Sequence, residues 1–126
     1  MFEVLFLFPR DGDLGAVDQL LAQRLIPQIT SGAGLRSVRV SHDAIMSPGG
    51  PPPYGRVLEA SFDTLADVMA VVEESKRHPA ERERLANLRP LVLLFEVTER
   101  RARTAARRNR VGAFSPGDME RKEPDR

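Results

Sequence analysis

The stretch Tyr54-Gly55-Arg56-Val57-Leu58-Glu59-Ala60-Ser61-Phe62 runs without a break into Asp63-Thr64-Leu65-Ala66-Asp67-Val68, and the period of its apolar residues changes on the way. Up to Phe62, the residues Leu58, Ala60 and Phe62 alternate with Val57, Glu59 and Ser61, the two-residue period of a strand with unlike faces. Beyond it, Leu65, Val68, Met69 and Val72 recur at helical spacing and supply a buried stripe. Thr64 with Asp67 resembles a capping box, in which each side chain satisfies a backbone donor at the helix start. Just upstream, Ser47-Pro48-Gly49-Gly50-Pro51-Pro52-Pro53 cannot lie inside a sheet, because proline has no ladder donor, and it reads as a loop.

Working outward, Phe2 to Phe8 is rich in aromatic and branched residues, stops at Pro9, and reads as a strand. Asp13 is a plausible N-cap. Leu14, Val17, Leu21 and Leu25 predict an amphipathic helix over about 14–26, ended by Pro27 and by Ser31-Gly32-Ala33-Gly34. Residues 35–46 read as a second strand, with Val38 and Val40 facing one way and Ser37, Arg39 and Ser41 the other. Pro79 opens a short helix to about Leu88, and Leu91 to Val97 is a last strand. The order is βαββαβ: an α+β, ferredoxin-like fold with a four-stranded antiparallel sheet.

The strand faces carry more information than their order. One set is apolar: Phe2, Val4, Phe6, Phe8; Val38, Val40; Leu58, Ala60, Phe62; Leu93, Phe95, Val97. It belongs under the helices. The other is Glu3, Leu5, Leu7; Ser37, Arg39, Ser41; Val57, Glu59, Ser61; Val92, Leu94, Glu96. A sheet face open to water is normally almost all polar. Five apolar residues with polar groups between them instead predict a face buried against a partner around a small polar-lined cavity.

Composition closes off several classes of function. With no cysteine, disulfides, thiolate nucleophiles and iron–sulfur ligation are excluded. His42 and His78 stand in unrelated contexts: one at a strand end, one before Pro79. No metal is expected. No glycine fingerprint opens a helix, so no nucleotide cofactor is expected either, and Gly32-Ala33-Gly34 reads as a turn. The apolar run at Phe2–Phe8 is too short to span a membrane and lacks the flanks of a signal peptide, so a cytoplasmic protein is the default.

Charge divides the chain. Residues 1–97 carry ten Lys/Arg and thirteen Asp/Glu, whereas residues 98–126 carry nine and five. The first part reads as the folded domain. The second reads as a basic, largely disordered tail with a short helix over about 98–109, where Arg100, Arg101, Arg103, Arg107, Arg108 and Arg110 cluster. Lacking interleaved aromatics and an apolar stripe, it reads as a solvated extension rather than a nucleic-acid or membrane-binding segment.

Candidate chemistry centres on Glu59 and Arg39, which share a face on adjacent strands and so stand opposite or diagonal to one another. They read either as a cavity carboxylate held by a guanidinium, able to bind or polarise a carbonyl or hydroxyl, or as a structural ion pair at an interface. Ser61, Ser41, Glu3 and Glu96 would add polar groups to the same cavity. Tyr54, the single tyrosine, either gates the cavity mouth or packs the proline loop down. Pro48 and Pro51 match a polyproline-recognition spacing, but the intervening glycines remove its stiffness.

Leu35-Arg36 through Val40-Ser41, the proline loop into Tyr54, Arg56 to Asp63, the opening Val4 to Pro9 and the closing Leu85-Ala86-Asn87-Leu88 together resemble the EthD family, named for ethyl tert-butyl ether degradation. The resemblance spans about residues 2–97. It implies a homodimer whose sheets face each other in a dimeric α/β barrel. It also implies a small hydrophobic carbonyl or aromatic ligand between the sheets, and a link to oxidoreductase or oxygenase chemistry. Read from the strand faces, Glu59 and Arg39 are the catalytic candidates, and Tyr54, Ser61, Ser41 and Glu96 the ligand-binding ones. The chain departs from the family where a His-x-Pro and a histidine five residues earlier are common: here stand Leu25-Ile26-Pro27 and Leu20. Without those imidazoles, an accessory or binding protein that has lost the chemistry is the alternative.

Overall fold

The computed structural model describes residues 1–42 and 44–98. The expectations for the basic tail, read over 98–126, lie outside the described residues from residue 99 onward.

Strand β1 (Phe2–Pro9) leads into helix α1 (Leu14–Leu20), whose first turn is capped by Asp13 accepting from the Ala16 amide. The helix does not end before Pro27. It widens into a π-helical turn at Leu21–Leu25 and resumes as α2 (Ile26–Thr30). In the wider turn the Ile26 amide reaches back to the Leu21 carbonyl, and Pro27 falls in the first turn of α2. A proline there has no donor to lose, so the expected stop becomes a continuation.

Strand β2 (Leu35–Val40) follows a turn in which Gly34 adopts φ +77°. It stops short of the expected residue 46 because the Ser41 hydroxyl, not a backbone carbonyl, accepts the Val57 amide at 3.0 Å. Strand β3 (Tyr54–Phe62) hands over to α3 (Leu65–Ser75), and the capping box of Thr64 and Asp67 is complete in both directions. Helix α4 (Pro79–Asn87) and strand β4 (Leu91–Glu96) finish the domain. The sheet is antiparallel in the order β2-β3-β1-β4.

Phe8, Val17, Leu21, Ile29, Leu58, Ala60, Phe62 and Val68 form the core between helices and sheet. Two expectations about faces need correction. In α3, only Val68 of the expected stripe is buried; Val71 packs on the core beside it, and Leu65, Met69 and Val72 stay exposed. In β4 the faces are exchanged. Phe2 stands opposite Glu96, Val4 opposite Leu94 and Phe6 opposite Val92, so Val92, Leu94 and Glu96 lie on the helix side. Leu91, Leu93 and Phe95 lie on the open side. Every residue from Leu91 to Phe95 is apolar, so the alternation that distinguishes the faces elsewhere is missing.

Candidate functional site on the open sheet face

The register arranges the open face in rows. Ser37, Ser61, Glu3 and Phe95 form one row across β2, β3, β1 and β4. Arg39, Glu59, Leu5 and Leu93 form the next, and Val57, Leu7 and Leu91 the third. Polar groups therefore gather toward the β3 side of the face, framed by Leu5, Leu7, Val57, Leu91, Leu93 and Phe95.

Arg39 and Glu59 are directly opposite, with Nε donating to Oε1 at 3.1 Å. The Arg39 side chain is 67 % exposed and that of Glu59 29 %. Behind them Ser61, buried, donates from Oγ to Oε2 of Glu3 at 3.0 Å. Glu3 is itself only 8 % exposed and lies diagonally across the ladder from Glu59. Burial above all, and then the hydrogen bond and negative charge of Glu59, push the Glu3 carboxyl above the ordinary range; Ser61 and Arg39 pull less strongly the other way.

The other candidates are elsewhere. Glu96 faces the helix side with Phe2 and is removed from the cluster. Tyr54 lines a separate recess with Arg10, Leu14 and Arg56 at the end of the sheet. Ser41 is engaged with the Val57 backbone. His78 precedes α4 and approaches Glu74 at 3.3 Å. Among the described residues no group of three His, Asp or Glu is placed to hold a metal ion, and no helix is long and apolar enough to cross a membrane.

Glu3, expected on this face from the alternation of Phe2–Phe8, is the single charge in that run. Gln28 had only a weak signal in the sequence. Gln28 falls seven residues after Leu21 and three after Leu25, on the apolar stripe once the helix continues past Pro27. Its Nε2 is buried without a partner. It borders an apolar cavity of about 170 Å³ between helices and sheet, lined among others by Val4, Phe6, Val68, Leu85, Val92 and Leu94. On its other side Gln28 borders an open polar cleft of about 490 Å³ with Arg24, Glu74, His78 and Glu81.

These elements define an α+β protein of the ferredoxin-like class, with one sheet face under the helices and the other open. Solved structures share that fold. An EthD family protein from Bacillus halodurans superposes with a TM-score of 0.62 at 19 % identity, over 78 % of this chain and 99 % of that one. An EthD-like protein from Ralstonia eutropha gives 0.56 at 20 %, over 80 % and 95 %. A monooxygenase from Streptomyces coelicolor, solved with nanaomycin D, gives 0.55 at 16 %, over 82 % and 92 %. A protein from Thermobifida fusca described as dimeric and ferredoxin-like gives 0.51 at 17 %, over 76 % and 90 %. At these identities the likeness is one of fold. No protein-family model and no curated protein matches the chain.

Proposed function

We propose that this protein is a homodimer whose open sheet faces pack together as a dimeric α/β barrel. Between them it binds a small hydrophobic carbonyl or aromatic molecule, with Glu59 and Arg39 at the site. The observation that carries this reading is the open face itself: an apolar frame of Leu5, Leu7, Val57, Leu91, Leu93 and Phe95 around the cluster Glu3, Ser61, Glu59 and Arg39. A contiguous apolar surface rimmed by polar groups suits an interface, and the dimeric description of a protein of the same fold supports it. Arg39 offers donors and Glu59 an acceptor, the pairing that orients a carbonyl or hydroxyl. With leucines at 20 and 25, binding is the primary role, as in an accessory protein to an oxygenase or another oxidoreductase.

The helix-side cavity favours a second reading. Its volume of about 170 Å³ matches a single aromatic ring, and the unpartnered Gln28 amide offers a ligand one buried polar contact. One experiment separates the two readings. Amide and methyl shifts are mapped by NMR during titration with small aromatic aldehydes and ketones, after sedimentation has fixed the oligomeric state. A particle twice the 14.0 kDa chain, with shifts gathered at Glu59, Ser61 and Leu93, is expected. Shifts confined to Gln28, Val68 and Leu94 establish the helix-side site instead. A well-folded monomer at micromolar concentration overturns the barrel.

A further inference from the structure

We infer that the helix-side cavity is the inner half of a site for a small aromatic carboxylic acid. The ring lies in the cavity, and the carboxylate lies among Arg24, Arg82 and Arg89 at its mouth. The inference rests on the second, helix-side reading for the seat of the ring; it adds the head group, its charge and its entrance.

Two hollows meet at one wall. The apolar cavity of about 170 Å³ is bounded in part by Leu25, Gln28, Ser75 and Leu85. The same four residues bound an open cleft of about 320 Å³ between the π turn and α4. The cleft with Glu74 and His78 touches the cavity only at Gln28 and Val71, so it is the poorer entrance. A cavity of this size takes one six-membered ring.

The entrance is cationic. Arg24, Arg82 and Arg89 line it with a single carboxylate, Glu81. Arg24 Nε stands 3.4 Å from Glu81, longer than a well-seated charged bond. Arg89 reaches Asp11, outside the cleft, at 3.6 Å. Neither bridge is tight, and an incoming carboxylate competes with both.

Gln28 stands between ring and head group. Its Nε2 is the one buried side-chain nitrogen or oxygen without a hydrogen-bond partner among the described residues. Buried donors are normally paired, because stripping one of water without a replacement is costly. A carboxylate oxygen at the junction would satisfy it with a strong, charge-assisted bond. An ammonium offers no acceptor there, and the charge of the cleft opposes it. The chain reaches this wall through the π turn Leu21–Leu25, a form that occurs frequently at functional sites. Arg24 and Gln28 are four residues apart, about one turn or ~5 Å along the helix. That spacing suits one or two methylenes between ring and carboxylate.

The test is a methyl NMR titration of the full chain with toluene, phenylacetate and phenethylamine, repeated on Gln28→Met and Arg24→Gln. Phenylacetate should shift the Leu25, Val68 and Leu85 methyls and bind about tenfold tighter than phenethylamine. Gln28→Met, similar in length but without the donor, should weaken phenylacetate about tenfold. Arg24→Gln should weaken it about threefold, since that guanidinium is exposed, and leave toluene unchanged. Suppose toluene enters the cavity but phenylacetate binds no tighter than phenethylamine, or is indifferent to both variants. The inference is then overturned and the helix-side reading stands. Phenylacetate shifts gathered at Leu93 also overturn it. If no probe moves the Leu25, Val68 and Leu85 methyls, the inference and the helix-side reading fall together. Should Gln28→Met fail to fold, the preference for acid over amine and the Arg24→Gln result still decide.

Discussion

Arg39 stands directly opposite Glu59 in the β2–β3 ladder, yet the guanidinium is two-thirds exposed while the carboxylate is mostly covered. The pair therefore has a wet side toward the sheet edge and a drier side toward the centre. In the single chain, water screens it. In a docked sheet pair, that screening would be lost.

Glu59→Gln distinguishes these situations. The unfolding free energy of the separated chain should change by under about 1 kcal/mol, the value of an exposed ion pair. The proposed dimer should weaken by more, toward the roughly 3–5 kcal/mol cost of a charge stranded in a dry interface. Urea melts at low concentration give the first quantity and sedimentation across a concentration series the second. Equally small effects on both would place the pair outside the interface.

Leu93 and Leu94 are neighbours that face opposite sides of the sheet, Leu93 beside Leu5 and Leu94 beside Val4. Leu93→Asp should dissociate the proposed dimer and leave a folded monomer. Leu94→Asp should instead destabilise the fold by about 1–2 kcal/mol, because it places a carboxylate at the helix-side cavity. Light scattering with thermal melts on both variants checks this; a dimer lost only with Leu94→Asp would contradict it.

Arg56 grips Asp18 with two bonds, Nε at 2.8 Å and Nη2 at 3.0 Å, tying β3 to α1. The bonds hold the Asp18 carboxyl below its ordinary range, so the native state binds fewer protons there than the unfolded one. The resulting stability is present above the unfolded value and fades as pH falls through the folded one. Asp18→Asn should cost about 0.5–1 kcal/mol at pH 7, and nothing in strong acid, since Asp18 is half exposed. Glu3 has the opposite sign: its raised titration favours the native state below the unfolded value and loses that advantage as pH rises through the folded one. Glu3→Gln should accordingly flatten a decline in stability on the alkaline side of the carboxylate range. Denaturant midpoints between pH 2 and 8 read both limbs, and a slope of the reverse sign in either variant refutes that assignment.

Gly34 has φ +77°, and a side chain there would overlap the Asp67 carboxylate that caps α3. Gly34→Ala should therefore cost more than about 1 kcal/mol, and Thr64→Ala about 1 kcal/mol. Both loosen Asp67, so the double variant should cost less than the sum of the two. Strict additivity in thermal melts would show that the turn and the cap act separately.

The sequence by itself determined the order of elements, the capped start of α3 and the placement of Glu59 with Arg39, because alternation, capping chemistry and turn residues are local signals. It determined the two faces of β1, β2 and β3 for the same reason. Tertiary structure alone decided the faces of β4, since Leu91-Val92-Leu93-Leu94-Phe95 offers no polar residue to break the tie and only pairing with β1 sets the register. Pairing also took Glu96 out of the cluster, and it gave Glu3, already expected on this face, its partner Ser61 from more than fifty residues away in the chain. The helix running through Pro27 depended on a π turn, a change of hydrogen-bond partner with no residue signature, and with it Gln28 came onto the buried stripe. Local patterns fix what each segment forms; which side chains meet is a property of register, and register is set by packing across the whole sheet.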